Sequence, residues 1–293
     1  MSLVGSPQLP EVQAPLLRRI FSPQTASKKQ RPTLGLALGG GGAKGLAHIG
    51  VLKVLTENGI QFDYVAGTSV GALVGSLFAV TGDMTLVDDL ITLREDMKFT
   101  DYIGMISRRA SGVINTAQLA KILQTVYGNR SFSECKIPFQ AVAVNIQTGD
   151  VVRFNEGKLI DAVTASFAIP YLFTPVKGGE GVTYVDGGLA EPIPVPTLKA
   201  MGADRVIAIN LADYFSEQGE SKLKLGQFSS NVLNTMKRHL TEAMCYEADV
   251  VISPAVGNPP VTDLFTDKDL SYLIAEGEKA ARAALPGILA LKA

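Results

Sequence analysis

Short apolar runs alternate with longer amphipathic stretches from Pro32 to the end of the chain. The apolar runs predict strands at 34–39, 64–67, 138–146, 151–154, 182–185, 205–211 and 250–253. Helical periodicity follows at 43–58, 69–80, 85–97, 116–127, 159–168, 194–201, 230–246 and 268–285. Strands that alternate with helices predict an α/β fold with three α/β/α layers around a mainly parallel central sheet.

The composition excludes several classes of protein. Apolar residues make up 46% of the chain, and the 27 basic residues nearly balance the 28 acidic ones. A nucleic-acid partner is not expected, because such binders normally carry a basic excess. The chain has two cysteines, Cys135 and Cys245, and two histidines, His48 and His239. These numbers argue against a disulfide framework or a metal site, and we expect no metal and no cofactor.

The chain is expected to form one domain. Residues 1–32 are rich in proline and predict a flexible tail, and 33–293 predict a single domain whose part 213–293 is helical and variable. Residues 64–82 carry no charge, but they begin as a strand and turn at Ser69, so a buried strand and helix are expected rather than a membrane span. The predicted location is cytoplasmic or peripheral to a membrane, with a removed targeting signal left open.

A glycine-rich segment follows the first predicted strand and reads Gly-Gly-Gly-Gly-Ala-Lys-Gly over 39–45. Successive glycines before a helix can present backbone N–H groups to an anion. A dinucleotide site would need an acid at the end of the second strand, and Asp63 stands at its start instead. A Walker-type phosphate loop would need Ser or Thr after Lys44, where the chain has Gly45.

The second strand ends in Gly67-Thr68-Ser69-Val70-Gly71. A Gly-x-Ser-x-Gly string between a strand and a helix is typical of a nucleophile elbow, in which small residues permit a sharp turn and the serine hydroxyl projects outward. The loop after the first strand should border this serine, so we expect Gly41 and Gly42 to supply N–H donors for an oxyanion.

Asp186, followed by Gly187 and Gly188, is the candidate base for Ser69. It ends an apolar strand, and we expect its carboxyl end to share a sheet edge with the ends at Gly39 and Gly67. The rival is a Ser–Asp–His triad, which would have to use His239. His48 and His239 both fall on apolar helical stripes, which favours packed histidines.

Taken together and in this order, the motifs at 40–45, 67–71 and 186–188 resemble those of patatin-like phospholipases, and 165–170 and 189–194 resemble the bacterial members. The resemblance covers about 33–212. It implies a Ser69–Asp186 dyad without histidine, an oxyanion hole at Gly41 and Gly42, and hydrolysis of lipid acyl esters, usually without calcium. The supporting motif residues are Gly40, Lys44, Gly45, Gly67, Gly71, Gly187 and Gly188. Gly39 departs from an aspartate common in the family.

Three functions remain open at this point. The first is a lipid acyl-ester hydrolase of phospholipase A or lysophospholipase type, whose partner is a lipid substrate and which would contact a membrane or micelle surface. The second is a nucleotide-binding or regulatory protein that uses the glycine-rich loop. The third is an inactive scaffold or membrane-docking protein. Residues 99–110 are the candidate for a mobile lid or interfacial edge at the lipid site, and a packed loop is the alternative.

Overall fold

The computed structural model describes residues 31–96, 114–212, 225–265 and 268–291, and the chain from Pro32 onward forms one compact unit. The candidate lid at 99–110 lies outside the described residues. The strands are β1 Leu34–Leu38, β2 Tyr64–Thr68, β3 Phe139–Asn145, β4 Val151–Phe154, β5 Val176–Lys177, β6 Thr183–Asp186, β7 Arg205–Ile209 and β8 Val250–Ile252. Each predicted strand is present, and β5 is an additional short one.

The helices follow the predicted positions with a few changes at their ends. They are α1 Leu46–Glu57, α2 Val70–Thr81, α3 Thr85–Asp96, α4 Thr116–Tyr127, α5 Leu159–Ser166, α6 Val195–Met201, α7 Leu225–Tyr246 and α8 Ser271–Ala290. Short 3-10 turns occupy Gly42–Gly45, Phe132–Glu134, Gly179–Gly181, Gly187–Leu189 and Val261–Phe265.

The strands form one mixed sheet in the order β5-β6-β3-β2-β1-β7-β8, with β4 also paired to β3. The pairs β3–β2, β2–β1, β1–β7 and β7–β8 are parallel, whereas β4, β5 and β6 make antiparallel pairs. Helices flank both faces, so the three-layer α/β/α fold with its mainly parallel sheet is confirmed.

The side chains of β1 show how the two faces differ. Leu36 and Leu38 belong to the larger core cluster, which includes residues of α1, α2 and α8. Ala37, which points to the other face, packs in a smaller cluster with α6 and with Met244 of α7. Successive residues of a strand point to opposite faces. The run is apolar throughout because both faces are covered.

One expectation about the sheet is wrong. We expected the carboxyl end of the strand before Asp186 to share an edge with those of β1 and β2, but β6 runs antiparallel to β3. Asp186 pairs with Ala143, one residue beyond the Thr68–Val142 pair of β2 and β3. The strand therefore arrives from the opposite direction and still brings Asp186 level with the residue after Thr68, which is Ser69.

The first and last helices also differ from the pattern. The helix expected from 43 begins as the 3-10 turn Gly42–Gly45, because the glycine-rich loop is still turning there. The last helix continues through Pro286 to Ala290, although proline disfavours a helix interior. The fully buried Ile288 anchors this final turn to the core, so tertiary packing overrides the local preference.

The last helix packs tightly on α1. A side-chain carbon added at Gly50 would lie 2.0 Å from the carbonyl oxygen of Ile274, and one added at Gly277 would lie 2.1 Å from that of Ala47. The glycines therefore allow the two backbones to touch.

The assignment of 213–293 as a variable part stays a prediction. None of the described helices has the length and apolar character needed to cross a bilayer.

Candidate active site

Ser69 stands at a sharp turn between β2 and α2. Its backbone adopts φ 56° and ψ −126°, a left-handed conformation that is strained for a residue with a side chain. The glycines on either side make the turn possible. A carbon added at Gly67 would lie 2.3 Å from the carbonyl oxygen of Gly71, and one added at Gly71 would lie 2.1 Å from that of Leu38. The expected elbow geometry is therefore present.

Ser166, at the end of α5, links the backbone of Ser69 to β3 by hydrogen bonds. The Ser69 N–H donates to the Ser166 hydroxyl oxygen at 2.8 Å, and this hydroxyl donates to the carbonyl of Val142 at 2.6 Å. Ser166 is completely buried. The segment 165–170 belongs to the recognised motifs, but no role was predicted for Ser166. The available signal was a serine placed directly before an apolar stretch.

The glycine-rich loop passes directly beside Ser69. A carbon added at Gly40 would meet the Ser69 Cβ at 3.4 Å. Two loop N–H groups are anchored, since Gly39 donates to Ile209 at 3.2 Å and Gly40 to Pro192 at 2.9 Å. Within the described ranges, the N–H groups of Gly41 and Gly42 have no backbone acceptor. These two N–H groups are therefore not engaged by the backbone of the described residues.

No residue with a side-chain carbon fits at Gly42 or Gly45 without displacing a neighbour. Gly42 has φ 58°, and a carbon added there would lie 2.8 Å from a methyl carbon of Val261. A carbon added at Gly45 would lie 2.1 Å from a methyl carbon of Val70, the residue after the nucleophile. The loop thus packs directly against the elbow, as the two motifs together predict.

His48 contacts the start of the glycine-rich loop and does not have the properties of a base for Ser69. It is fully buried, and its Nε2–H donates to the carbonyl of Gly39 at 2.8 Å. Burial lowers the pKa of His48 to about 4, although this hydrogen bond partly opposes the shift. The histidine is therefore neutral and packed, as expected, and it fixes the start of the glycine-rich loop.

Lys44 is buried within the loop rather than open to a ligand. Its side chain is 8% exposed, and Nζ donates to the side chain of Asn258 at 3.4 Å. A phosphate loop presents its lysine to the bound phosphates. The engaged ammonium of Lys44 does not fit that use.

Asp186 brings a buried carboxylate to the same place. Its Oδ1 accepts the Gly188 N–H at 2.7 Å, whereas Oδ2 has no partner at full hydrogen-bond geometry among the described residues. Burial raises the pKa of Asp186, and the Lys237 ammonium, the Ser69 hydroxyl and the Gly188 N–H oppose this shift. The serine hydroxyl thus lies close enough to act on the carboxyl group. Catalytic hydrogen bonds commonly tighten only when substrate binds.

The turn after Asp186 leaves little space. A carbon added at Gly187 would lie 2.3 Å from the carbonyl oxygen of Val142, and one added at Gly188 would lie 2.9 Å from the Oδ1 atom of Asp186. Both glycines are therefore required for the close approach of this turn to β3 and to the carboxylate.

A buried glutamate that forms an ion pair lies beyond this turn, and no role was predicted for it from the sequence. Glu191 is 3% exposed and pairs with Arg153 of β4, while the Thr197 hydroxyl donates to its second oxygen. The Thr68 hydroxyl donates to the Glu191 backbone carbonyl at 2.8 Å. This network ties the elbow to the segment after Asp186. Its partners are far apart in the chain, which left no local signal.

His239 is not at the site. Its side chain is 73% exposed on α7 and lies 3.4 Å from a carboxylate oxygen of Glu242. The apolar stripe expected to bury it is in fact partly exposed at Val232 and Met236. Because His239 is exposed, the expectation that it is packed is wrong. The structure does not bring it to Ser69 or Asp186, so it does not supply the imidazole of a triad. No group of acidic, histidine or cysteine side chains in the described part of the chain is arranged to hold a metal.

An apolar cleft opens next to the elbow. Its wall includes Gly45 of the loop, Val70 after the nucleophile, and Phe167 after Ser166. The remaining lining residues are Leu46, Ile49, Leu73, Val74, Leu90, Ile91, Leu119, Ile122, Leu123 and Leu264. A cleft with this lining suits a hydrocarbon chain.

Comparison with known families identifies the family of this chain. A family model described as patatin-like phospholipase matches residues 36–199, which include Ser69, Asp186 and the glycine-rich loop. The chain belongs to the patatin-like phospholipase family. The resemblance seen in the motifs is thereby confirmed.

Similar proteins include a Mycobacterium tuberculosis protein named as an uncharacterized NTE family protein, 32% identical over 209 residues. The match covers 71% of this chain and 56% of that protein, so the chain spans little more than half of its length. Lysophospholipase nte1 of Emericella nidulans is 31% identical over 61% of this chain and 12% of its own. The VipD crystal structure from Legionella pneumophila has a TM-score of 0.45 at 13% identity, covering 88% of this chain and 67% of VipD.

Proposed function

We propose that this chain is a serine acyl-ester hydrolase that acts on lipids, with Ser69 as the nucleophile and Asp186 as its base. The observation that carries the proposal is the buried pairing of these two residues at a strained elbow, beside an apolar cleft. Strain at a non-glycine residue persists where the surrounding structure imposes it, and it is concentrated at functional sites. Family membership and the lysophospholipase relative support the same reaction class.

Asp186 is suited to take the serine proton because burial raises its pKa above that of an ordinary carboxyl group. In the acylation step, the Ser69 oxygen attacks the ester carbon while its proton passes to Oδ2 of Asp186, the carboxylate oxygen without a protein partner. The protonated Asp186 then gives this proton to the leaving alcohol. Water then enters, gives a proton to Asp186 and attacks the acyl carbon. As the bond from that carbon to the Ser69 oxygen breaks, Asp186 returns the proton to this oxygen and the fatty acid is released.

The negative charge that develops on the ester oxygen needs donors. The N–H groups of Gly41 and Gly42 are candidates, because the loop lies against Ser69 and neither group is engaged by backbone within the described ranges. The neutral His48 would keep this loop in place through Gly39. Loss of one such donor typically reduces the rate by about 10²–10³.

The apolar cleft supports an acyl chain as the part of the substrate that is bound. The wall of the cleft includes Val70, the residue after Ser69, so a chain that occupies the cleft could place its ester group near the hydroxyl. Because the substrate is a lipid, we expect the chain to be taken from a micelle or a membrane surface. The buried Lys44 disfavours the nucleotide-binding alternative.

Steady-state hydrolysis of a micellar lysophospholipid tests this function. We expect Ser69→Ala and Asp186→Asn each to lower kcat/KM by about 10³ or more, the scale found when an acting group is removed. His239→Gln is the matched control, because the His239 side chain is exposed and contacts Glu242 rather than Ser69 or Asp186. It should retain most of the activity.

Circular dichroism and thermal melting must show that each variant is folded. A folded His239→Gln protein as inactive as Ser69→Ala would favour the triad instead. Full activity of Ser69→Ala would overturn the proposal.

A further inference from the structure

The face of α7 that packs on the protein carries a lysine. Thr241 and Met244 are 3% and 9% exposed, and they follow Lys237 by four and seven residues, which places all three on one side of the helix. The next residue, Arg238, points away and pairs with Glu242 on the exposed side. Lys237 is therefore directed toward the body of the domain.

The ammonium of Lys237 ends beside the candidate base. A carbon added at Gly188 would lie 3.9 Å from the Lys237 Nζ atom and 2.9 Å from Oδ1 of Asp186, so both groups border the same small space. Lys237 is only half-buried, and no salt bridge joins it to a carboxylate in the part of the chain that the structure describes. Its charge acts on Asp186 and lowers the pKa of that carboxyl group.

We propose that Lys237 is a positioning residue of the active site, whose ammonium holds Asp186 as the carboxylate that accepts the serine proton. This inference rests on the proposed function. It adds a residue from the C-terminal helix, outside the 36–199 stretch that the family model matches. Without a nearby cation, burial would favour the protonated acid, which cannot accept a proton from Ser69.

The other charged groups around Asp186 are exposed to solvent or contact other partners. Asp161 on α5 is exposed, and Lys177 on β5 donates to the hydroxyl of Thr183. Glu191, in the segment after Asp186, is paired with Arg153. β3 carries no charged residue, and at the start of α2 the facing group is the Ser69 hydroxyl. Lys237 is thus the one charge found to act on Asp186 among the described residues.

The expected sign follows from the charge. The ionised Asp186 is the active form, and the Lys237 cation stabilises it. Removing the cation raises the pKa of Asp186 further, so a larger fraction of the enzyme is protonated and inactive at the acidic end of its range. The acid limb of the kcat/KM profile should therefore move to higher pH, while the plateau above it is retained.

The test uses the full chain and an uncharged ester, p-nitrophenyl butyrate, so that no substrate charge can contact the lysine. We expect Lys237→Met and Lys237→Gln to shift the acid limb to higher pH, with kcat/KM several-fold lower at the acidic end relative to the plateau. Lys237→Arg keeps the charge and should restore the wild-type limb. Arg238→Met removes the same charge one residue along, on the exposed side, and should not move it.

Equal loss of activity at every pH would show a structural role and overturn the inference. An unchanged profile in both folded neutral variants would overturn it as well, while leaving the hydrolase intact. If neither neutral variant folds, Lys237→Arg decides, because a shifted limb in that folded protein contradicts the role of the charge. The proposed function fails separately, through an inactive wild type or an active Ser69→Ala.

Discussion

On one side of Ser69 the glycine-rich loop approaches with backbone alone, whereas on the other side Asp186 approaches with a buried carboxylate. The loop side is set by steric fit, since added carbons at Gly45 and Gly71 would overlap their neighbours at 2.1 Å. The Asp186 side is set by charge, since burial raises the pKa of the acid and Lys237 opposes the shift. The two sides should therefore fail in different ways.

The largest effect is expected where the steric fit is closest. Gly71→Ala would place a methyl group 2.1 Å from the carbonyl oxygen of Leu38 and 2.7 Å from that of Gly39, and neither backbone can move easily. We expect a loss of about 3 kcal/mol or more in the free energy of unfolding, at the upper end for overpacking. Urea denaturation measures it.

Gly179→Ala is the matched control, because nothing lies within 4 Å of the added carbon. It should change stability by less than about 0.5 kcal/mol. Comparable losses in the two variants would contradict the steric account of the loop side.

His48 makes the loop side sensitive to acid. Its pKa falls from 6.5 to about 4 in the folded protein, so the unfolded chain takes up a proton first. The contribution to stability is present above pH 6.5 and is lost as the pH falls toward about 4. The loss amounts to about 3 kcal/mol.

His48→Gln retains a donor toward Gly39 and removes the titration. Denaturation of both proteins over this pH range should show a smaller acid loss in the variant, because other titrating groups are shared. Parallel curves for the two proteins would contradict the buried neutral histidine.

The charged side predicts a smaller change of opposite sign. The pKa of Asp186 is raised in the folded state, so its contribution to stability is present at low pH and is lost as the pH rises through the folded-state pKa. Asp186→Asn should therefore melt above wild type at neutral pH, by about 1 kcal/mol, although it is inactive. The difference in stability between Asp186→Asn and wild type should narrow as the pH is lowered. A difference that does not depend on pH would contradict a buried charge at Asp186.

The same division governs what the sequence could predict. The loop and the elbow were predictable, because Gly67, Ser69 and Gly71 constrain a turn that lies within a few residues of chain. The structure brings Asp186 close to Ser69, but the expected direction of its strand was wrong, because β6 runs antiparallel to β3, a pairing between residues far apart in sequence. The contacts that bring Glu191 and Lys237 to this region could not be predicted for the same reason, because their partners are distant in sequence. Helix α8 continued past Pro286 because its final turn is held by packing.

The central claim is that Ser69 is the activated nucleophile, and covalent labelling by a fluorophosphonate with peptide mapping tests it most directly. The account predicts a single adduct on Ser69, absent in Ser69→Ala, much slower in Asp186→Asn and unchanged in His239→Gln. A folded wild-type protein that carries no adduct, or carries it on another residue, would contradict the account.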